Sequence, residues 1–150
     1  MLERFYALHK KSGVIPAFVE KSFMLDLGGV KLSGRIDRID KLPDGTYEVI
    51  DYKTGSSSEK NLKNDLQLSI YALACKESLK ISVSKLSLYY LDNLEKVSTS
   101  RSEKDLDKCR GEILEYAKEL AGSDFSPTPG FHCRYCDFRL ICKAAAPITA

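Results

Sequence analysis

Acidic and basic residues interrupt two neighbouring hydrophobic segments of this sequence. The segments read GRIDRID over residues 34–40 and IDYKTG over residues 50–55. Strands usually avoid aspartate, so three aspartates in two predicted strands require an explanation. Strand alternation places Asp51 and Lys53 on one face, and simple antiparallel register brings Asp37 near them. The sequence therefore predicts that two carboxylates and a lysine converge at a strand edge.

This combination of side chains suits a divalent metal ion. Carboxylates are hard oxygen ligands for Mg²⁺ or Mn²⁺, and these ions take few protein ligands and keep waters for chemistry. The metal lowers the pKa of a bound water and stabilises charge on a phosphoryl oxygen. A neighbouring lysine can orient the attacking water. Without a metal, two close carboxylates repel each other, which disfavours a purely structural explanation such as a solvated sheet face with incidental ion pairs.

The ordered set of motifs resembles the PD-(D/E)XK nuclease superfamily, and within it the RecB-like branch. That branch includes AddB-type helicase–nuclease subunits and CRISPR-associated adaptation nucleases. The resemblance extends over residues 17–142. Any one motif is weak evidence, but their order together with IDYKTG is specific. The motifs are Gly34-x-x-Asp37, Asp51-x-Lys53 and Gln67-x-x-x-Tyr71.

The resemblance implies a role for each residue of the acidic site. Asp37 and Asp51 would bind the metal ion, and Lys53 would support the attacking water. The backbone carbonyl of Tyr52 would complete part of the coordination. The cofactor implied is Mg²⁺ or Mn²⁺, and the implied substrate is DNA.

Gln67 and Tyr71 are four residues apart and so share one face of a predicted helix. The resemblance implies that they brace the site and contact the DNA backbone, while an ordinary amphipathic helix is the alternative. Asp40 is expected to be solvent-facing or structural, with Arg38 as its ion-pair partner. Glu20 is expected to be a charged residue at a strand edge, with a supporting role near the metal as the alternative.

Members of the family usually carry a further metal-binding histidine on a helix upstream of the first strand. His9 is the only histidine before Ala17, and its surroundings do not match that motif. We therefore expect the histidine to lie before Met1, and the natural polypeptide to continue upstream. The missing histidine leaves open a second hypothesis, a catalytically inactive nuclease-fold module that binds DNA or supports a helicase complex.

Three cysteines lie close together near the C-terminus, at Cys133, Cys136 and Cys142. Zinc and [4Fe–4S] sites both normally take four cysteine-type ligands. The resemblance implies the iron–sulfur cluster of AddB-like nucleases, with the fourth cysteine upstream of this chain. Free thiols in a small hydrophobic knot and a zinc-ribbon-like interaction domain are the alternatives. Cys75 and Cys109 are expected to be core residues.

Hydrophobic periodicity predicts the elements that carry these residues. Turns at Gly28-Gly29 and Pro43-Asp44-Gly45 separate three strands, which should form an antiparallel meander. The predicted helices cover residues 2–11, 59–77 and 103–121, and the predicted strands cover 17–27, 30–41, 46–53 and 83–91. We predict a restriction-endonuclease-like α/β fold, with a central mixed sheet, flanking helices and a cysteine-rich C-terminal tail.

We predict one domain over residues 1–150, with a core over about 17–122 and the tail over about 126–145. The net charge of +2 is compatible with a nuclease but not diagnostic. No stretch reaches the roughly 20 apolar residues of a membrane span, and no signal peptide is evident, so a cytoplasmic protein is expected. The resemblance implies an exonuclease domain of a helicase–nuclease, which acts on DNA ends or single strands in recombination and repair.

Overall fold

The computed structural model describes residues 2–12, 14–55 and 59–144. The chain divides into two compact units, residues 1–117 and residues 118–150. The first unit contains the whole sheet. The predicted single domain and its boundaries remain predictions. No helix among the described residues combines the length and apolar composition needed to cross a membrane.

A five-stranded mixed sheet forms the centre of the first unit, with its strands in the order β1-β2-β3-β4-β5. The first three strands form the predicted antiparallel meander, β3 and β4 are parallel, and β5 returns antiparallel to β4. The strands are β1 (Phe18–Asp26), β2 (Lys31–Lys41), β3 (Tyr47–Lys53), β4 (Val83–Tyr90) and β5 (Glu95–Thr99).

Three α-helices accompany the sheet among the residues that the structure describes, so the predicted restriction-endonuclease-like α/β fold is confirmed. Helix α2 connects the parallel strands β3 and β4, because parallel neighbours need a crossover connection. The helices are α1 (Leu2–Ser12), α2 (Leu66–Glu77) and α3 (Glu103–Gly122), with short 3-10 helices at Glu59–Asn64 and Phe131–Tyr135.

Helix α2 begins later than the sequence pattern predicted. A 3-10 helix occupies residues 59–64, and Asp65 then caps α2 through a 2.8 Å hydrogen bond from the Leu68 amide to its Oδ1. Aspartate is a favoured N-cap because its carboxylate accepts from an otherwise unpaired amide of the first turn. The predicted start at residue 59 was therefore wrong, although Gln67 and Tyr71 do lie on the helix.

Strand β5 was not predicted. Its five residues contain one buried apolar side chain, that of Val97. A strand of this length has too few residues for an alternation of apolar and polar side chains to be recognised in the sequence. It pairs with β4 from Leu86↔Thr99 to Tyr90↔Glu95.

The hydrophobic core lies on the side of the sheet that α2 covers. Helix α2 is buried on most of its surface, and α3 adds Leu106, Cys109 and Ile113 to the same cluster. Burial raises the pKa of Cys75 to about 12 and that of Cys109 to about 11. Both residues are neutral thiols within the core, as predicted.

Charged residues are buried on the opposite face of the sheet. The Arg38 guanidinium donates to both carboxylate oxygens of Asp40, at 2.7 and 2.8 Å. The predicted ion pair is confirmed, but Asp40 is only 6% exposed, so the solvent-facing alternative was wrong. A two-point, charge-assisted contact of this kind compensates for the removal of both charges from water.

Candidate active site

Strands β2 and β3 separate at the point where their aspartates lie. Their pairing ends at Arg38↔Ile50, whereas β3 continues alongside β4 to Lys53↔Tyr90. The Tyr52 amide donates a 2.9 Å hydrogen bond to Asp37 Oδ2. The side chain of Asp37 thus provides the acceptor that a neighbouring strand would otherwise supply, and it lies against the segment that carries Asp51 and Lys53.

Asp51 is the most deeply buried acid of this group, at 2% exposed. Its Oδ2 lies 2.7 Å from Lys53 Nζ. The lysine amine is the partner of this buried oxygen, and no further hydrogen-bond donor reaches it among the described residues. Buried carboxylates are normally paired, and here a single cation compensates for the removal of Asp51 from water.

The charged form is disfavoured in one partner of this ion pair and favoured in the other. Burial raises the pKa of Asp51, the nearby Asp37 and Asp65 raise it further, and Lys53 opposes them. Burial disfavours the charged form of Lys53, but its pairing with Asp51 outweighs burial and raises the pKa of the amine. Burial outweighs the ion pair for Asp51 but not for Lys53, because the side chain of Lys53 is 34% exposed and that of Asp51 only 3%. Lys53 is therefore a cation throughout the neutral range.

A chain of hydrogen bonds fixes Lys53 from the α2 side. Lys53 Nζ donates to Gln67 Oε1 at 2.7 Å, and Gln67 Nε2 donates to the Tyr71 hydroxyl at 2.8 Å. The Tyr71 hydroxyl in turn donates to the backbone carbonyl of Arg35 at 3.0 Å. Burial is the main cause that raises the pKa of Tyr71, so its hydroxyl stays protonated and remains a donor. The chain joins β3, α2 and β2 around the acidic residues.

Gly34 of the Gly-x-x-Asp motif makes room for an aromatic ring. A Cβ at this position would lie 2.7 Å from Phe23 Cζ, closer than real Cβ contacts occur. Phe23 is buried and meets the ring of Tyr71 edge-on at 6.1 Å. The glycine therefore lets Phe23 support the tyrosine whose hydroxyl ends the hydrogen-bond chain.

Arg101 supports the start of α2 and was not found by sequence reasoning. Its guanidinium donates to the carbonyls of Leu62 and Asp65 at 3.0 and 3.1 Å, and to Ser69 Oγ at 2.8 Å. It lies in the segment between β5 and α3, more than thirty residues along the chain from these acceptors. A single arginine in a loop has no periodicity to distinguish it, so no sequence signal pointed to this role.

Glu20 lies at an irregular point of β1, opposite Asp37. Val19 pairs with Arg38 and Lys21 with Ile36, which leaves Glu20 facing Asp37. Glu20 has φ of 51°, in the left-handed region that a glutamate rarely adopts.

His9 is placed away from the acidic residues. Its ring packs against Phe5 and Tyr89, and its Nδ1 lies 3.3 Å from Arg38 Nη1. Arg38 also donates to the Tyr52 hydroxyl, and alternation directs the Tyr52 ring away from the face of Asp51 and Lys53. Burial and the nearby Arg38 lower the pKa of His9. The structure does not bring His9 to the acidic site, in agreement with its poor match to the family motif.

The acidic residues can be tested for their fit to a metal ion. No group of three or more histidine, cysteine or acidic side chains is placed to hold a metal within the described ranges. Two carboxylates are nevertheless enough for Mg²⁺, which keeps several waters and binds through one or two carboxylates. The carboxylates of Asp37 and Asp51 are oxygen donors of the kind that such an ion takes, and they lie near enough for the charge of Asp37 to raise the pKa of Asp51. Asp37 and Asp51 therefore fit Mg²⁺ or Mn²⁺.

The cysteine segment does not fit an iron–sulfur cluster in this structure. Cys133, Cys136 and Cys142 are free and partly exposed, and they belong to no metal-holding group among the described residues. Their local contacts are those of tight turns, such as the hydrogen bond from the Gly130 amide to Cys133 Sγ at 3.3 Å. The expected cluster is not supported, and no chemistry is assigned to these thiols.

Comparisons with known proteins agree with this geometry. The family model of the PD-(D/E)XK nuclease superfamily matches residues 1–143. The solved structure described as "Crystal structure of SSO0001" is similar to the chain, with a TM-score of 0.56 and 25% sequence identity over 97% of this chain and 71% of the other. A search of the curated proteins found no match. The match over nearly the whole sequence shows that the chain belongs to the PD-(D/E)XK nuclease superfamily.

Proposed function

We propose that this chain is a Mg²⁺- or Mn²⁺-dependent deoxyribonuclease that hydrolyses DNA phosphodiester bonds. Its superfamily consists generally of metal-dependent nucleases. The observation that carries the proposal is the carboxylate of Asp51, which is only 2% exposed, lies near Asp37 and is paired with a fixed lysine cation. In this proposal Asp37 and Asp51 hold the metal ion, together with the backbone carbonyl of Tyr52.

The metal, when bound, activates a water and stabilises charge on a phosphoryl oxygen. Lys53 has a raised pKa, so it acts as a hydrogen-bond donor and positive charge rather than as a base. It orients the attacking water and stabilises the negative charge that develops on the phosphate. Gln67 fixes the lysine amine, and Tyr71 fixes Gln67. Asp37 is itself positioned by the Tyr52 amide.

The finer parts of the proposal rest on the order of the motifs. We propose an exonuclease that acts on DNA ends or single strands, as a domain of a RecB/AddB-like helicase–nuclease in recombination and repair. A helicase domain or subunit would then deliver the strand. The iron–sulfur cluster takes no part in this proposal, because the cysteines are not placed to hold it.

The direct test is cleavage of end-labelled single- and double-stranded DNA with Mn²⁺ or Mg²⁺. We expect the parent protein to cleave and Asp51→Ala to be inactive while it keeps the fold. Asp107→Ala is the matched control, because Asp107 is an exposed acid on α3. Cleavage that survives in Asp51→Ala, or its absence in the parent protein, would contradict the proposal.

A further inference from the structure

Arg35 lies where the hydrogen-bond chain of the acidic site ends. Its backbone carbonyl accepts from Tyr71, at the end of the path from Lys53 through Gln67. Its side chain takes no part in that path and is 63% exposed. The residue therefore combines a fixed backbone with a solvent-accessible guanidinium.

The guanidinium contacts an acid on the neighbouring strand. Arg35 Nη1 lies 3.5 Å from Glu20 Oε2, and Glu20 is the residue of β1 that faces Asp37. Asp37 is two residues further along β2 than Arg35, a separation of about 7 Å. Arg35 and the proposed metal ligand are thus near neighbours along β2.

The contact between Arg35 and Glu20 is weak. Its 3.5 Å separation is longer than that of a strong charge-assisted hydrogen bond, and both side chains are about 60% exposed. Exposed pairs of this kind contribute little to stability, so a better anionic partner can displace Glu20. Yet Glu20 adopts its left-handed backbone conformation at this point, which is unfavourable for a non-glycine residue. Strain of this kind persists where the surrounding structure imposes it, and such positions concentrate at functional sites.

We propose that Arg35 binds a DNA phosphate adjacent to the one that reacts, and that Glu20 holds the guanidinium in position until the phosphate replaces it. This inference rests on the proposed nuclease function. Arginine suits the role because its planar fork matches phosphate oxygens in two-point contacts and cannot lose its charge. Glu20 also reduces the attraction of the empty site for anions, since its charge must be displaced.

The test is the salt dependence of binding to a fluorescently labelled single-stranded oligonucleotide, measured by anisotropy in EDTA so that no cleavage occurs. Each phosphate contact contributes about 0.7 to the slope of log K against log salt concentration for a single strand. We expect Arg35→Gln to lose about 0.7 of that slope and to bind several-fold more weakly at low salt. Arg35→Lys should keep the slope, and Glu20→Gln should bind more tightly than the parent protein.

Lys104→Gln is the matched control, because it removes the same charge from an exposed position on α3. It should change neither slope nor affinity. Folding of each variant is checked by circular dichroism, and Arg35→Gln keeps the backbone carbonyl that Tyr71 uses. An unchanged slope in Arg35→Gln, or an equal loss in Lys104→Gln, would overturn the proposal.

The outcome is separable from that of the proposed function. If the parent protein cleaves DNA but Arg35→Gln binds with the parental slope, the phosphate site is wrong and the nuclease assignment stands. If the slope falls in Arg35→Gln but the parent protein does not cleave with Mn²⁺, the phosphate site stands and the nuclease assignment fails. Absence of binding by the parent protein at low salt would overturn the phosphate site, and cleavage with Mn²⁺ would still decide the nuclease assignment.

Discussion

Asp37 and Tyr52 are joined by a hydrogen bond from the backbone amide of the tyrosine to the carboxylate of the aspartate, at 2.9 Å. The bond forms where β2 and β3 cease to pair. A regular ladder would keep the backbones in contact there and leave no opening between them. The separation lets two carboxylates share the same end of the sheet while one of them remains anchored to the neighbouring strand.

The first prediction concerns Asp37→Asn. The asparagine carbonyl can still accept from the Tyr52 amide, so the fold should be kept, but the negative charge on the proposed metal ligand is lost. We expect the Mn²⁺ concentration that gives half-maximal cleavage to rise at least about tenfold, a loss of about 1.4 kcal/mol in binding. The measurement is the rate of DNA cleavage across a Mn²⁺ titration, with Asp107→Asn as the control. An unchanged titration midpoint would exclude Asp37 as a ligand.

The second prediction concerns the cost of burying Asp51. Because its pKa is raised in the folded protein, the folded state binds this proton more tightly than the unfolded chain does. Stability therefore falls as pH rises from the unfolded pKa through the folded one. Asp51→Asn removes the buried charge, and without metal it should be more stable than the parent protein at neutral pH by about 1 kcal/mol.

That gain should shrink as the pH falls and the parent carboxyl becomes protonated. The measurement is thermal unfolding in EDTA at several values from about pH 8 to about pH 3. A variant that is less stable than the parent protein at neutral pH would show that the ion pair with Lys53 outweighs the burial of the charge.

The third prediction concerns Gly34→Ala. The new methyl group would meet the buried ring of Phe23, which cannot withdraw easily because it packs against Tyr71. Overpacking of this kind costs about 1–3 kcal/mol. We expect a lower urea midpoint and slower cleavage, with both effects reduced when Phe23→Leu is combined with Gly34→Ala. Wild-type stability of the alanine variant would mean that the glycine is not required for packing.

The fourth prediction concerns Gln67, which we propose acts through Lys53. Gln67→Ala should slow cleavage about tenfold, because the lysine amine loses an acceptor that fixes it. Mn²⁺ affinity should be unchanged. In a Lys53→Met background the same substitution should have little further effect, since coupled residues are not additive. Additive losses in the double variant would show that Gln67 acts independently of the lysine.

The sequence predicted the meander and the core thiols correctly because their signals are local. Turns at Gly28-Gly29 and Pro43-Asp44-Gly45 delimit the strands, and alternation identifies the buried face in the second half of β1. The separation of β2 from β3 was not predictable in this way. It depends on the hydrogen bond from the Tyr52 amide to the Asp37 carboxylate. A contact of this kind between two strands leaves no periodic pattern in the sequence.

The supporting residues were missed for a similar reason. Arg101 and Asp92 act across the fold, the first on the carbonyls of Leu62 and Asp65 and the second on the Gly55 amide at 2.7 Å. Neither belongs to a motif. Asp65 could have been found, because a single aspartate before an apolar helical pattern is a typical N-cap. The buried position of Asp40 also depends on packing around Arg38 and not on its place in the strand.

Joint binding of a divalent metal ion by Asp37 and Asp51 is tested most directly by a titration of the protein with Mn²⁺, followed by electron paramagnetic resonance of the free ion. The parent protein should bind Mn²⁺ in competition with Mg²⁺, Lys53→Met should bind comparably, and the Asp37→Asn, Asp51→Asn double variant should not bind. Equal Mn²⁺ affinity in the parent protein and the double variant would contradict the claim.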